Sequence, residues 1–350
     1  MAEEASLVRD RFAAGTSRRH WAGLVVLCCG ILILLGACAT PRFPDYPVET
    51  MVMPKLEPQN NRLVTFDGEE LGLTIWGQEI EDPDYVVVGV HGMNDYANAF
   101  HMAAPWWAER GVRTYAYDQR GFGRSFGRGS WQNEDAMRED LRTVIELVRA
   151  EHPDATLTVV GISMGGAVAM TAFGGEHPPQ ADRLILSGPG LRGWGAIPMY
   201  QRAALEVSTR VRPGWVVVPP RGLVKIEPTD NIEMLRRTWE DPLMLRDNRI
   251  DQVYGVVSLM ERAHQRAPNL PENTLLLYGA KDIVIPEKGL RRTAPRLPAH
   301  VTTAYYANGY HMLMRDLQAE TVWRDQLSFM KDPDAPLPSA APELPWRKNN

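Results

Sequence analysis

Leu157-Thr158-Val159-Val160-Gly161-Ile162-Ser163-Met164-Gly165-Gly166-Ala167-Val168-Ala169 is an apolar run that halts at a serine set between glycines and resumes as a run of small residues. The first half has the length and β-branched content of a buried strand, and the second half has the composition of a closely packed helix. A Gly-x-Ser-x-Gly pentapeptide in that setting is a sharp strand-to-helix turn that pushes a hydroxyl out of the sheet. Gly161 and Gly165 remove the β-carbons that would otherwise meet the neighbouring strand and helix, which lets the serine hold a strained backbone. Ser163 is therefore the candidate nucleophile.

Working outward, apolar segments at 71–76, 85–90, 112–117, 156–161, 183–187, 274–279 and 301–307 alternate mostly with helical segments. That alternation predicts an α/β fold with a mostly parallel central sheet flanked by helices. The helix expected over 133–150 carries Ala136, Leu141, Val144, Ile145 and Val148 on one face, as packing against a sheet requires. The region 190–271 interrupts the alternation and reads as a helical cap between two core parts, 59–189 and 272–331.

A neutral hydroxyl is a poor nucleophile without a base, and the base needs a carboxylate to orient it. The strand at 274–279 runs into Ala280-Lys281-Asp282, and the last strand runs into Asn308-Gly309-Tyr310-His311, with a helix expected near Met312. Asp282 and His311 follow Ser163 in the order serine, acid, histidine, each just past a strand, and are the candidate acid and base. His264 lies in a charged helical segment and His300 ahead of a strand, so neither is placed at the carboxyl ends of the strands, where open α/β sheets bind ligands. Upstream, the strand at 85–90 ends in His91-Gly92-Met93-Asn94-Asp95. A small loop there allows the backbone N–H of Met93 to join that of Met164 in an oxyanion hole. His91 precedes the serine at the strand tip, and a structural role in the loop is expected for it.

These stretches resemble the monoacylglycerol lipase and lysophospholipase branch of the α/β-hydrolases. The resemblance is carried by His91-Gly92-x-x-Asp95, the run from Tyr117 to Ser125, Gly161 to Gly166, Asp241-Pro242-Leu243, Asp282 with Pro286, and Gly309-Tyr310-His311, and it covers about 63–330. It implies Ser163 as nucleophile, Asp282 and His311 as its partners, and Met93 and Met164 as oxyanion donors. Two positions depart from the pattern: Asn94 stands where the family often has glycine, and Phe122 where it often has histidine.

Other chemistries find little support. Gly121-Phe122-Gly123-Arg124-Ser125-Phe126 lacks the third glycine of a dinucleotide loop and opens no helix, and there is no Walker loop, His-Glu-x-x-His or cysteine-histidine cluster, so no cofactor or metal is expected. The formal net charge of −5 disfavours a nucleic-acid partner. At 44% hydrophobic and 23% charged, 350 residues can bury a full core without stapling.

The N-terminus carries a second signal. Arg18-Arg19 precedes an apolar stretch over 22–37 and then Cys38, the layout of an export signal. Leu35-Gly36-Ala37-Cys38 resembles a bacterial lipobox, which implies a signal peptide over 1–37 and a lipid-modified Cys38. The three cysteines are Cys28, Cys29 and Cys38, so the processed protein has no disulfide framework. Localisation is then the bacterial cell envelope, lipid-anchored, at the outer membrane in a Gram-negative cell; the alternative is an uncleaved single-pass anchor, for which the apolar run falls short of roughly 20 residues. A proline-rich linker follows over 38–58. The tail over 332–350 is again proline-rich and reads as disordered.

The cap supplies Trp194, Ile197, Met199, Tyr200, Trp215 and a helical Val253, Val256, Val257, Met260 series. An apolar roof over a serine site favours acyl chains over charged substrates. The expectation is a serine carboxylic ester hydrolase acting on monoacylglycerol or lysophospholipid-like esters through an acyl-enzyme. A serine peptidase of the proline iminopeptidase type, or a non-catalytic binding lipoprotein, remains the alternative.

Overall fold

A computed structural model describes residues 52–217 and 227–347. The export signal, Cys38 and most of the expected linker lie outside the described residues.

Nine strands form the main sheet: β1 (Lys55–Glu57), β2 (Arg62–Val64), β3 (Glu70–Trp76), β4 (Tyr85–Val90), β5 (Val112–Tyr117), β6 (Thr156–Ile162), β7 (Arg183–Ser187), β10 (Thr274–Gly279) and β11 (Thr302–Tyr306). Their order is β1-β2-β3-β5-β4-β6-β7-β10-β11. The pairs from β5 through β4, β6, β7 and β10 to β11 are parallel, whereas β1, β2 and β3 pair antiparallel at one edge. Val86, Val87, Val88 and Val90 of β4 are fully buried, because this central strand is covered on both faces. Each such side chain contributes about 1.5–3 kcal/mol by leaving water.

Two helical layers supply the cover. Helix α1 (Ala103–Ala108) and helix α8 (Ala319–Lys331) lie on one face, burying Trp107, Val322 and Phe329 with Val87, Val160 and Leu277. On the other face lie α2 (Glu134–Glu151) and α3 (Met164–Phe173). Helix α2 starts where Asn133 accepts a hydrogen bond from the Asp135 N–H, with Glu134 and Asp135 stabilising the positive end of the helix dipole. Its buried stripe of Met137, Leu141, Val144, Ile145 and Val148 faces the sheet.

Four features differ from the sequence expectation. The sheet begins at Lys55, inside the stretch read as linker, because Leu56 pairs with Leu63 in a short antiparallel ribbon. The insertion after β7 includes α4 (Met199–Val211), a two-residue ribbon of β8 (Val216–Val217) and β9 (Asn248–Arg249), and α5 (Ile232–Glu240). Helix α6 (Ile250–Arg266), expected in the cap, instead buries Val256, Leu259, Met260 and Ala263 in the sheet-facing core. Met199, Tyr200, Trp215, Val216 and Val217 face solvent, Met199 at 74% exposure, so they are neither the cap's core nor a roof over the serine.

The fourth difference is the tail. The expectation of disorder over 332–350 is corrected by a segment packed as far as the description extends, to Arg347. The Tyr305 N–H of edge strand β11 donates to Pro342 O at 2.8 Å, and Leu344 is 2% exposed. Trp346 sets its ring edge-on to Tyr278 and Tyr305, while Arg347 donates to Val301 O. Proline content removes backbone donors, but two apolar anchors and an open strand edge outweigh it.

Candidate active site

Ser163 sits between β6 and α3 with φ 50° and ψ −114°. A non-glycine residue in this region is strained by about 1–3 kcal/mol and persists only where its surroundings hold it. Here Ser163 N donates to Ser187 O at 3.1 Å, and Ser163 O accepts from Gly190 N at 2.8 Å and from Ala167 N at 3.1 Å. A β-carbon on Gly165 would collide with the Val90 and His91 carbonyl oxygens, and one on Gly161 would reach Gly165 O at 2.8 Å. Both flanking glycines are thus required by close backbone approach.

The neighbouring loops converge on this turn. His311 Nε2 accepts from Ser163 Oγ at 3.0 Å, and its Nδ1–H donates to Asp282 Oδ2 at 2.7 Å. Asp282 Oδ1 in turn accepts the N–H groups of Val284 at 2.9 Å and Ile285 at 2.8 Å, which fixes the carboxylate plane. The acid loop is tied to the base loop where Lys281 N donates to Gly309 O at 2.9 Å. All three residues are buried, Ser163 and His311 at the floor of the cavity described below. After His311 the chain forms a short 3-10 turn, Leu313–Arg315, rather than the helix expected near Met312; α8 begins only at Ala319.

Met164 is the first residue of α3, where a backbone N–H has no intrahelical partner. Gly92 stands against Ser163, since a β-carbon there would lie 3.2 Å from Ser163 Cβ, and Met93 beside it lines the same cavity. Asn94 has φ 69°, a left-handed conformation that asparagine tolerates better than most residues, which explains how it occupies a glycine position. His91 is not part of the relay. Its Nδ1–H donates to Gly92 O at 2.7 Å and its Nε2 accepts from Gln119 N at 2.8 Å, so it braces the loop as a neutral ring. Burial holds its pKa below the usual histidine value, consistent with that tautomer. Phe122 packs edge-on against His91, with ring centroids 5.6 Å apart, and does not line the site.

A cavity of about 360 Å³ opens over Ser163 and His311. Met93, Ile162, Val284, Met312 and Met314 make much of it apolar, and Asn94, Asp95, Asn248 and Arg315 add polar groups. Among the described lining residues the one carboxylate is Asp95, and Arg315 Nη2 pairs with it at 2.7 Å. His264 bonds Thr293 Oγ1 and His300 bonds Leu270 O, so neither reaches the site. Among the described residues no three His, Cys, Asp or Glu side chains converge as metal ligands would.

Sequence reasoning missed Asn248 and Arg315. Asp95 was visible as the last residue of His91-Gly92-x-x-Asp95, but its partner lies 220 residues away in sequence and had no local signal.

Comparison with known proteins shows the family and the fold. A family profile described as Hydrolase_4, serine aminopeptidase, S33, matches residues 81–318. A monoacylglycerol lipase of Mycolicibacterium smegmatis is 27% identical over 267 residues, covering 75% of this chain and 93% of that protein. A monoglyceride lipase of Rattus norvegicus is 24% identical over 284 residues, covering 77% and 90%. The crystal structure of Paleococcus ferrophilus monoacylglycerol lipase superposes with a TM-score of 0.63 at 24% identity over 74% of this chain and 98% of that one, a likeness of fold.

Proposed function

Because the chain belongs to the Hydrolase_4 family of α/β-hydrolases and is a serine hydrolase of the esterase and lipase type, we propose that it cleaves monoacylglycerol or lysophospholipid-like esters through an acyl-enzyme on Ser163. The observation that carries this reading is His311 bonded to Ser163 on one nitrogen and Asp282 on the other, beneath an apolar pocket.

Ser163 Oγ attacks the ester carbonyl as its proton passes to His311 Nε2. The Met93 and Met164 N–H groups receive the developing oxyanion, and Asp282 holds the imidazolium in register. Collapse of the tetrahedral intermediate expels the alcohol, which takes the proton from His311. Water then repeats the sequence on the acyl-enzyme, with His311 again as base, and releases the carboxylic acid.

The family description names an aminopeptidase, and the pocket argues for esters. Capture of a free amino terminus calls for an unpaired carboxylate, whereas Asp95 is already neutralised by Arg315. The apolar lining suits an acyl chain, each buried methylene contributing about 0.8 kcal/mol. Fluorophosphonate labelling of the wild type but not of Ser163→Ala, followed by a panel of acyl esters and aminoacyl amides, tests the reading. Preference for aminoacyl amides would reject it.

We further propose that Cys38 is lipidated and tethers the enzyme to the bacterial envelope, on the strength of Leu35-Gly36-Ala37-Cys38 alone. Fatty-acid labelling that survives Cys38→Ser would refute this.

A further inference from the structure

The chain around His311 is irregular, with the 3-10 turn Leu313–Arg315 as the one short element between β11 and α8, so its place depends on what its backbone amides find. The amide just before the histidine, Tyr310 N–H, donates to Asp316 Oδ2 at 2.8 Å within the same loop. The amide just after it, Met312 N–H, donates to Pro228 O at 2.8 Å, and Pro228 belongs to the insertion. Two more bonds run between the same segments. Leu317 N–H donates to Asp230 Oδ1 at 2.8 Å, and Asn231 Nδ2 donates to Arg315 O at 3.1 Å. Three hydrogen bonds thus join 228–231 to 312–317, and Pro228 also lines the cavity over Ser163.

Asn231 faces both ways. Its Oδ1 accepts from Met234 N at 3.2 Å and caps α5, while its Nδ2 reaches Arg315 O. One carboxamide therefore fixes the start of a cap helix to the turn that follows the catalytic base. Helix α5 is itself lightly packed. Of its nine residues Met234 and Thr238 are buried, and both line a cavity of about 460 Å³ together with Asn98, His101 and Met102 of the core. At the far end of the helix Tyr96 Oη donates to Asp241 Oδ2 at 2.7 Å. A helix with few buried apolar contacts is held by its ends and lifts at low cost.

We infer that Asn231, aided by Asp230, is a positioning residue for the serine chemistry: it ties the seating of α5 to the place of His311, so that the imidazole is aligned with Ser163 only while this end of the cap is down. This rests on the serine-hydrolase reading of Ser163 and His311 and not on the identity of the ester. Proton transfer from Ser163 Oγ to His311 Nε2, 3.0 Å away, tolerates little displacement, since a shift of about 1 Å can cost 10²-fold in rate. Asp282 orients the ring, and the bonds from Pro228, Asp230 and Asn231 hold the chain that carries it.

The test uses Asn231→Asp. Aspartate caps a helix as well as asparagine does and suits the positive end of its dipole, so α5 keeps its start, but a carboxylate has no N–H to give Arg315 O. The full chain and its variants are assayed in detergent micelles on p-nitrophenyl acetate, whose short acyl group asks little of the cap, and on p-nitrophenyl laurate. The rate of labelling by a fluorophosphonate, which also needs His311 as base, is measured beside them. Misalignment of the base should lower kcat on both esters by about 10-fold, slow labelling by a similar factor and leave KM within about twofold. Asp230→Ala should lower kcat by about 3-fold, as loss of one hydrogen bond does, and Asp230→Asn, which still offers an oxygen to Leu317 N–H, should recover most of that. A role confined to the cap would instead raise KM for the laurate and spare both labelling and kcat on the acetate, and that result overturns the inference. So does an unchanged Asn231→Asp enzyme. Should Asn231→Asp fail to fold, Asp230→Ala set against Asp230→Asn makes the same comparison at a half-buried position. A wild type that neither cleaves the esters nor takes up the fluorophosphonate overturns the hydrolase reading together with this one.

Discussion

Two buried arginines sit in carboxylate cages in this molecule, and they are finished differently. Arg120 donates from Nε and Nη2 to Asp140, and from Nη1 and Nη2 to Asp67, so every nitrogen of its guanidinium is used. Thr65 completes the cluster by donating to Asp140 at 2.6 Å. The two carboxylates more than offset the effect of burial and hold the Arg120 pKa above its usual value. Arg315, which lines the cavity over Ser163, pairs with Asp95 and the Ala99 carbonyl, and its Nη1 has no partner among the described residues. The Arg120 cage locks the loop after β5 onto α2 through two carboxylates, whereas Arg315 ties the turn after β11 to the loop after β4 through one. The same contrast runs through the site: Ser163 holds a strained backbone and Asn94 a left-handed one within a few ångströms of the chemistry.

The largest expected effect falls on the cavity side. Ser163→Ala should lower ester turnover by about 10³- to 10⁶-fold, since nucleophile and base act as a unit. Ser163→Gly should do the same while raising the urea midpoint, because glycine adopts positive φ without strain. Unchanged turnover in folded Ser163→Ala would remove the chemical half of the contrast. Next comes Arg120→Met, which strands Asp140 and Asp67 and should cost about 3–5 kcal/mol in equilibrium unfolding. Activity per folded molecule should stay within a few-fold. A variant as stable as the wild type would show that the Arg120 cage holds nothing together.

A smaller effect is expected at Asp316, which follows Arg315. Its carboxylate accepts from Tyr310 N at 2.8 Å, yet burial pushes its pKa up to about 6 from 3.8. The fold therefore disfavours the charged form. The stability this protonated group retains is fully present below pH 4 and declines as pH rises to about 6. Asp316→Asn should accordingly stabilise the protein by roughly 1–2 kcal/mol at pH 8, after allowance for solvent screening, with the gain vanishing near pH 4. Urea titrations at the two pH values check this, and a gain independent of pH would contradict it. The smallest effect lies far from both cages: Trp346→Ala should cost about 1 kcal/mol by removing ring contacts to Tyr278 and Tyr305, without altering turnover. A loss of activity there would mean that the tail communicates with the pocket.

Much of the site was legible in the chain because its parts obey local rules. Gly161 and Gly165 announce a turn that only close backbone approach demands, and Asp282 and His311 each follow a run long and apolar enough to be a buried strand. The cap was less legible. The apolar side chains of Met199, Tyr200 and Trp215 do not say which way they face, and the structure turns them outward, while α6 joins the core because its buried stripe continues into the surface of α3. The tail was misread for a related reason. Composition counts prolines, whereas Leu344 and Trp346 are held by a strand edge and an aromatic pair that composition does not register.

By itself the sequence determined the strand-turn-helix around Ser163, the alternation of strands and helices, and the places of Asp282 and His311 just past strand ends, because each of these is read from near neighbours in the chain. Tertiary structure alone decided which polar groups meet. Asp95 finds Arg315 across 220 positions, and Asn248 reaches the cavity lining from an insertion. Periodicity and turn chemistry are local properties of a chain, but hydrogen-bond satisfaction is settled only when every candidate partner has taken its place.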